Sequence, residues 1–182
     1  AKLFPNENLR KYMWEYLGSL MLGTNQNQTF NLFTGVGSNG KSILVKFLSL
    51  ALGDYKGTVP ISLITQKRLG VGGTSSEVAQ LKGLRYAVMN EPSKGDEINE
   101  GIMKELTGGD PIQARELYKS TITFIPMFKM ACCTNTLFDI KSNDEGTWRR
   151  IRVVDFQAKF KEKPSSDPGD FEFKKDKSLE KK

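Results

Sequence analysis

The sequence predicts an α/β fold in which helices cover both faces of a central, mostly parallel β-sheet. Apolar strand segments alternate along the chain with helical segments, which is the order that builds parallel sheets. A glycine-rich loop, residues 35–40, separates the first strand segment from an apolar helical segment. Three strand segments end in polar residues, at Gly35, at Asn90 and Glu91, and at Asn135. Ligands of such sheets bind beyond the carboxyl ends of the strands, so these three ends should converge on one site.

The first part of the chain is predicted to form a helix, a strand and a second helix. Residues 7–22 carry apolar side chains at three- and four-residue spacing, and Gly23 suits the end of an amphipathic helix. Residues 29–34 alternate like a strand. Residues 41–52 are apolar with helical spacing, and Gly53 suits the end of that helix.

The middle of the chain is predicted to contain a short helix, a strand and a third helix. Thr74 and Glu77 match a capping box that opens the short helix. The apolar run 86–89 predicts a buried strand. Residues 98–106 follow as a helix, which Gly108 stops.

The last predicted elements are a hairpin and two buried strands. Residues 112–117 and 121–124 form the arms of the hairpin, with residues 118–120 at its tip. Residues 128–133 and 151–156 are apolar runs of strand length.

Composition divides the chain into three regions. Residues 1–26 are predicted as an N-terminal helix that leads into the main domain from an upstream region, and residues 27–157 as that domain. Residues 158–182 are rich in charge and are predicted as a mobile tail or linker. The chain opens at Ala1 without Met, which suggests a piece of a longer protein.

Charge and composition narrow the classes of function. The net charge of +6 is compatible with a nucleic-acid partner, and a solvated basic surface explains it equally well. The absence of His excludes His-based triads and most zinc sites. Cys132 and Cys133 are neighbours on a predicted strand, so a disulfide framework is not expected and a reduced, cytoplasmic setting fits better. No run approaches the ~20 apolar residues of a membrane span.

Residues 35–42 read Gly-Val-Gly-Ser-Asn-Gly-Lys-Ser and match the phosphate-binding loop pattern in full. Glycines permit a tight turn whose backbone N–H groups face phosphate oxygens, and the following helix adds its positive end. Lys41 would reach the β- and γ-phosphates, and the Ser42 hydroxyl would bind Mg²⁺. A chance glycine-rich turn is the alternative, which the flanking strand and helix disfavour.

Two polar residues at other strand ends are candidates for catalysis. Glu91 could activate the attacking water or help to hold Mg²⁺, whereas the alternative is a surface residue before a turn. Position 90 is Asn rather than Asp, so an expected metal-facing carboxylate is missing and Mg²⁺ would depend more on Ser42. Asn135 could polarise the γ-phosphate or the water, or simply cap a turn.

Arg149 and Arg150 precede the last strand and could stabilise charge on a transferring phosphoryl group. The alternative is a surface pair in which one arginine contacts Asp144 or Glu145.

Tyr118 and Lys119 lie at the predicted hairpin tip and could contact a nucleic-acid backbone. The alternative is an ordinary exposed turn.

Five motifs in order resemble the superfamily 3 helicases, and more narrowly the helicase part of the primase–helicases of poxviruses, other large nucleocytoplasmic DNA viruses and some phages. The resemblance covers about residues 5–157. The motifs are the loop at 35–42, Asn-Glu-Pro at 90–92, the stretch 104–115, Pro-x-Phe-Lys at 126–129 with Thr134 and Asn135, and Gly-x-Trp-Arg-Arg-Ile at 146–151.

This resemblance implies an AAA+-like three-layer domain of the P-loop NTPase class that forms a ring, usually a hexamer. Such a motor hydrolyses ATP at subunit interfaces and moves along single-stranded DNA during viral DNA replication. A primase region upstream, and a site in the cytoplasm of the infected cell or of a bacterium for a phage protein, are also implied.

The resemblance also implies roles for individual residues. Glu91 belongs to the second nucleotide motif, Asn135 to the sensor motif, and Arg149 or Arg150 to the arginine finger of the neighbouring subunit. Position 138 is Phe where relatives commonly have Pro. The implied ATP-binding residues are Gly35, Gly37, Ser38, Asn39, Gly40, Lys41 and Ser42. The implied DNA contacts are Lys119, Tyr118 and Arg115.

Two other classes of function stay open on the sequence alone. A small-molecule kinase also uses a phosphate-binding loop, but it needs an Arg-rich acceptor lid. An ATP-binding assembly module with weak hydrolysis is compatible with Asn90.

Overall fold

A computed structural model describes residues 1–67, 74–92, 95–142 and 144–180. Its centre is a five-stranded sheet made of β1 Phe30–Thr34, β2 Lys56–Val59, β3 Tyr86–Met89, β6 Lys129–Cys133 and β7 Ile151–Asp155. The strand order is β2-β3-β6-β1-β7, and every pair of neighbours is parallel. Two small sheets are formed by β4 Ile112–Ala114 with β5 Ile122–Phe124, and by β8 Lys159–Lys161 with β9 Glu172–Lys174.

Helices occupy both faces of the central sheet. The helices are α1 Glu7–Ser19, α2 Lys41–Leu52, α3 Ser62–Thr65, α4 Ser76–Ala79, α5 Glu100–Thr107 and α6 Glu145–Trp148. Short 3₁₀ turns lie at Gly53–Tyr55, Pro168–Asp170 and Lys177–Glu180. The described part of the chain has no helix that is long and apolar enough to cross a membrane.

The two faces of the sheet have separate cores because successive side chains of a strand point to opposite sides. On the hairpin-side face, Leu32 of β1 packs with residues of α3, α4, α5 and the β4–β5 hairpin. On the loop-side face, its neighbour Phe33 packs with residues of α1 and α2. Both side chains are almost fully buried. The predicted α/β fold with a sheet covered on both faces is therefore confirmed.

The strand register brings the polar strand ends to one edge, which we call the loop edge. Phe33 of β1 lies opposite Cys133 of β6 and Val154 of β7. Met89 of β3 lies opposite Cys132. Gly35, Asn90 and Thr134, which follow these strands, therefore share the loop edge.

Several elements differ from the sequence prediction at their ends. The hairpin arm predicted over residues 112–117 is a strand only as far as Ala114. The first helix was expected over residues 7–22 and ends at Ser19, because Leu20, Met21 and Leu22 donate their backbone N–H groups to carbonyls three residues back and form turns. Helix α5 begins at Glu100 rather than Ile98, since the side chain of Asn99 accepts from the Ile102 N–H and caps the helix.

The predicted capping box of Thr74 and Glu77 is wrong. The N-cap of α4 is Ser75, and its side chain makes no cap hydrogen bond. The Ser75 hydroxyl instead accepts from the backbone N–H of Arg115, at 3.1 Å. This contact to the hairpin takes the oxygen that a cap would use.

Two elements before β3 were not predicted. Strand β2 has the sequence Lys-Gly-Thr-Val, which lacks an alternating apolar pattern. It is an outermost strand of the sheet and is only partly buried, so it does not need the continuous apolar run of a central strand. Helix α3 spans only one turn, too short for a periodic pattern.

The region predicted as a charged tail contains structure. Strands β8 and β9 form a parallel pair, and the ring centroids of Phe160 and Phe173 lie 5.9 Å apart on them. Because the surrounding residues are mostly Lys, Glu, Asp and Pro, the composition of this segment conceals its short apolar pattern.

Candidate functional site

The glycine-rich loop between β1 and α2 has the backbone that its sequence requires. Gly35, Ser38 and Gly40 have positive φ angles of 135°, 60° and 87°. A Cβ atom on Gly35 would lie 2.6 Å from Nδ2 of Asn39 and 2.9 Å from the carbonyl oxygen of Phe156. Only glycine fits there, so the tight loop depends on this residue.

Lys41 connects two of the strand ends that were predicted to converge. Its side-chain nitrogen donates to the carbonyl oxygen of Gly35 at 2.5 Å and to Oδ1 of Asn135 at 2.9 Å. The carbonyl oxygen of Thr134 lies 3.3 Å from the same nitrogen. Lys41 is 9% exposed, whereas Ser42 beside it is exposed. The ammonium group is thus held at the loop edge, between β1 and β6.

Glu91 extends this connection to β3. Its Oε1 accepts from the backbone N–H of Asn135 at 2.9 Å. Lys41, Asn135 and Glu91 therefore form a continuous chain of hydrogen bonds across the ends of β1, β6 and β3. Next to Glu91, the backbone carbonyl of Asn90 accepts from the Cys132 thiol at 3.6 Å, and the Asn90 side chain is exposed.

The two cysteines behind this site are unsuited to nucleophilic chemistry. Burial raises the pKa of Cys132 to about 12, with smaller contributions from Cys133 and Glu91. Burial also raises the pKa of Cys133, although Lys41 and Lys56 oppose the shift. Both are free thiols. Since the thiolate is the reactive form, neither thiol is suited to act as a nucleophile.

Position 138, which departs from the pattern of relatives, is part of the hairpin-side core. Phe138 is 7% exposed, and its ring centroid lies 6.5 Å from that of Phe30. The large side chain is accommodated by packing in this core.

Helix α6 presents the paired arginines, and Asp144 fixes its start. The Asp144 carboxylate accepts from the backbone N–H groups of Gly146 at 3.0 Å and Thr147 at 3.1 Å. It also forms an ion pair with Lys104 of α5. These partners, Lys104 first, lower the pKa of Asp144 to about 2. The start of α6 is thereby tied to α5.

Gln28 holds the two arginines together. Its Oε1 accepts from Nη2 of Arg149 at 3.0 Å and from Nη2 of Arg150 at 3.1 Å. Arg150 also donates to the carbonyl of Gly146 at 2.6 Å and is 9% exposed, whereas Arg149 is exposed. Burial, then the neighbouring Arg149 charge, lowers the pKa of Arg150. Arg150 is therefore an interior residue, and Arg149 is the one that faces outward.

The arginine pair lies at the opposite edge of the sheet from the loop, which we call the arginine edge. The carbonyl of Arg150 accepts from the backbone N–H of Phe30, the first residue of β1. Gly35 follows the last residue of the same strand. Five residues at ~3.3 Å per residue separate the two edges by ~17 Å. Neither arginine is next to the loop of its own chain.

The hairpin collects the three predicted nucleic-acid contacts. Tyr118 is 94% exposed and has a positive φ of 61°. Lys119 is exposed and forms an ion pair with Glu116 at 2.7 Å. Arg115 is also exposed, and its backbone N–H contacts Ser75. The hairpin packs on one face of the central sheet, and α2, which follows the loop, packs on the other face. The predicted nucleic-acid contacts and the loop therefore form two separate candidate sites.

One motif residue is structural. Lys129 is buried at the start of β6, and its side-chain nitrogen donates to the carbonyls of Ser19 at 2.9 Å and Thr24 at 2.6 Å. Burial, and then Arg85, lowers its pKa. Lys129 thus fastens the end of α1 to the sheet.

Gln28 was not predicted from the sequence, and Asp144 was considered only as a partner of the arginines, whereas it pairs with Lys104 and caps α6. An Asp followed by a Glu-Gly-Thr turn is a recognisable helix start, so Asp144 could have been found as an N-cap. Nothing local marks Gln28, because its partners are more than a hundred residues away.

Fold and site together define an α/β domain of the P-loop type. The family of unknown function DUF5906 matches residues 33–150, and the chain belongs to this family.

Curated relatives include proteins of several large DNA viruses. The chain is 45% identical over 159 residues to "Putative helicase L207/L206" of Acanthamoeba polyphaga mimivirus, covering 87% of this chain and 17% of that protein. It is 33% identical over 177 residues to "Putative helicase 022R" of Frog virus 3, covering 95% and 18%. It is 31% identical over 176 residues to "Putative primase C962R" of African swine fever virus, covering 96% and 18%. The chain thus spans less than a fifth of the length of these relatives.

Solved structures support the fold. An apo structure of the NrS-1 C terminal region aligns with a TM-score of 0.61 at 14% identity, covering 85% of this chain and 35% of that one. An X-ray structure of JCV Helicase aligns with a TM-score of 0.52 at 16% identity, covering 85% and 41%. Together with the relatives, these confirm the resemblance to the helicase parts of viral primase–helicases.

Proposed function

We propose that this chain is the ATP-hydrolysing motor of a DNA helicase that works as a ring of identical subunits on single-stranded DNA during viral DNA replication. The proposal extends to an AAA+-like, hexameric assembly with a primase region elsewhere in the full-length protein. Its place of action is the cytoplasm of the infected cell, or of a bacterium for a phage protein. The names of the viral relatives support this class of activity.

The observation that carries the proposal is the hydrogen-bonded chain from Lys41 through Asn135 to Glu91. The chain joins a cation, an amide and a carboxylate at the edge where a phosphate-binding loop ends. Lys41 would stabilise the phosphate charge, and Asn135 would orient the γ-phosphate or the water. One carboxylate oxygen of Glu91 is oriented by the Asn135 N–H, and Glu91 would accept a proton from the attacking water.

The residues of the loop fit the phosphates of ATP. A Cβ atom on Gly35 or Gly40 would lie too close to neighbouring atoms. Because glycine has no Cβ, the backbone can adopt the tight curve that surrounds an anion. The described residues contain no group of three or more Asp, Glu, His or Cys that could hold a metal. Mg²⁺, which would neutralise phosphate charge, would therefore rely on Ser42, with Glu91 contributing and phosphate oxygens supplying other ligands.

The position of Arg149 supports assembly of the site between subunits. The arginine edge is ~17 Å from the loop of the same chain, so Arg149 would act on the loop of a neighbouring copy. A contact between the arginine edge of one copy and the loop edge of the next is heterologous, since it joins two different surfaces. Repeating such a contact generates a ring if the rotation between copies closes. We therefore propose Arg149 as the finger, with Arg150 and Gln28 fixing its position.

The hairpin is the proposed DNA contact. Lys119 and Arg115 supply positive charge, which accounts for most non-specific affinity for nucleic acid. Tyr118 presents nearly its whole ring to solvent, as required for stacking on an unpaired base.

The test is the ATPase rate of the chain with and without single-stranded DNA. The motor predicts a rate that rises when DNA is added. Stimulation by a small phosphate acceptor instead of DNA would identify a kinase. Turnover that stays absent in the presence of DNA would identify an assembly module and contradict the proposal.

Glu91→Gln should retain ATP binding and lose hydrolysis by about 10²- to 10⁴-fold, which is the usual contribution of a general base. Glutamine keeps an oxygen that accepts from the Asn135 N–H but cannot take a proton. Affinity for ATP by calorimetry and single-turnover hydrolysis separate the two effects. Glu97→Gln, an exposed carboxylate paired with Lys141, is the matched control. Retained hydrolysis in Glu91→Gln would assign the base to another group.

Lys119→Ala should weaken binding to single-stranded DNA and reduce the salt dependence by about 0.7 in the log–log slope, as for one lost phosphate contact. Glu116→Gln should act oppositely, because it releases Lys119 from its ion pair. Fluorescence anisotropy at several salt concentrations measures both. Lys11→Ala is the control for net charge, because Lys11 lies on α1, which packs on the opposite face of the sheet from the hairpin. Equal affinities of Lys119→Ala and the wild type would move the DNA contact elsewhere.

A further inference from the structure

The strand pair β8–β9 lies directly on the phosphate-binding loop. The backbone N–H of Phe160 donates to the carbonyl oxygen of Ser38 at 2.8 Å. A Cβ atom on Gly40 would lie 3.3 Å from the Phe160 ring and 2.6 Å from Leu3. Side chains from both ends of the chain therefore cover the outer side of the loop. This segment follows the residues that the family match covers.

Ser38 is the residue of the loop whose conformation needs outside support. Its φ of 60° lies in the left-handed region, which is unfavourable for a residue with a Cβ atom. Such conformations persist where the surrounding structure fixes them. The hydrogen bond from Phe160 is a contact of this kind.

The same hydrogen bond decides which way the next N–H group points. In a trans peptide, the carbonyl of one residue and the N–H of the following residue point in opposite directions. With the Ser38 carbonyl directed to Phe160, the N–H of Asn39 is directed away from β8. Reversal of this peptide would turn an acceptor oxygen toward the phosphate position in place of a donor.

We propose that Phe160 is a positioning residue of the nucleotide site and holds the loop in its anion-binding form through the Ser38 carbonyl. This inference rests on the proposed function and deepens it. Phe160 would act through its contacts with the loop.

The strand pairing leaves Phe160 free for this role. Lys159 donates its N–H to the carbonyl of Phe171, and the carbonyl of Lys161 accepts from Lys175. In a parallel pair, alternate residues bond to the partner strand, so the N–H of Phe160 between them faces the loop instead of β9. The Phe160 side chain meanwhile packs against Phe173. Proline at this position would remove the donor to Ser38 without removing a β8–β9 hydrogen bond.

The experiment measures the dissociation constant of ATP with Mg²⁺ by calorimetry. Phe160→Pro should weaken binding about tenfold, equivalent to ~1.4 kcal/mol. Phe160→Leu, which keeps the N–H, should bind within about twofold of the wild type. In a Ser38→Gly background the effect of Phe160→Pro should shrink, because glycine adopts a positive φ without strain. A thermal unfolding midpoint within a few degrees of the wild type shows that each variant is folded.

Lys41→Ala in the same assay separates the two levels of inference. Loss of binding in Lys41→Ala together with unchanged binding in Phe160→Pro overturns the role of Phe160 and leaves the proposed function intact. An equal loss from Phe160→Pro in the wild-type and Ser38→Gly backgrounds overturns the mechanism through loop strain. Unchanged binding in Lys41→Ala, or no binding of ATP by the wild type, overturns the proposed nucleotide site and this inference with it.

Discussion

Lys41→Ala should abolish ATP turnover and weaken ATP binding by about a hundredfold or more. Lys41 holds a nearly buried positive charge between Gly35 and Asn135. In a poorly solvated position, a cation interacts with phosphate much more strongly than on the surface. Alanine removes that charge and also the hydrogen bonds that join the ends of β1 and β6.

Turnover by phosphate release and affinity by calorimetry measure this effect. Lys46→Ala, an exposed lysine on the same helix, has the same change in net charge and should behave like the wild type. An unchanged turnover rate in Lys41→Ala would remove the phosphate-binding role of the loop.

Arg149→Ala should lower the rate of hydrolysis in the assembled protein by about 10³-fold or more, the range measured for arginine fingers supplied in trans. ATP affinity should change much less, because the finger acts mainly on charge that develops in the transition state. The unfolding temperature should stay near that of the wild type, since Arg149 is exposed.

Arg150→Ala should behave differently because Arg150 is an interior residue. Its loss leaves the Gly146 carbonyl without this donor and removes one of the two arginine donors to Gln28, which should lower the unfolding temperature by about 5 °C. Arg152→Ala, another exposed arginine two residues further on, is the control for charge. Wild-type turnover in both Arg149→Ala and Arg150→Ala would show that neither is the finger.

The local motifs explain why much of the site could be predicted from the sequence. The loop at 35–42 combines glycine conformations, a buried lysine and a helix start within eight residues, so its pattern is recognisable without tertiary information. Parallel strands place their carboxyl ends together, which is why Glu91 and Asn135 could be assigned to the same edge.

Tertiary contacts explain what could not be predicted. The contacts of Gln28 with Arg149 and of Phe160 with Ser38 join residues more than a hundred positions apart, and no spacing rule connects them. The sequence also cannot show which arginine is the better finger candidate, because Arg149 and Arg150 are adjacent residues of the same type. They differ in burial, which only the structure shows. Strand β8 could not be predicted from the sequence because it contains a single apolar side chain between two lysines.

The position of the arginines changes the interpretation of the site. As adjacent residues they could have divided the roles, one acting in its own subunit and one in the next. Since the arginine edge is ~17 Å from the loop edge of the same chain, neither arginine is next to its own loop. In this account each complete site combines Lys41, Asn135 and Glu91 of one copy with Arg149 of its neighbour.

Mixing two inactive variants tests this composite site most directly. Lys41→Ala keeps its finger and Arg149→Ala keeps its loop, so a mixed ring contains some interfaces with both intact groups. An equimolar mixture of the two should recover up to about a quarter of the wild-type rate per subunit if neighbours assort randomly and act independently. Each variant alone, at the same total concentration, should stay inactive. A mixture that is no more active than the separate variants would contradict a site shared between copies.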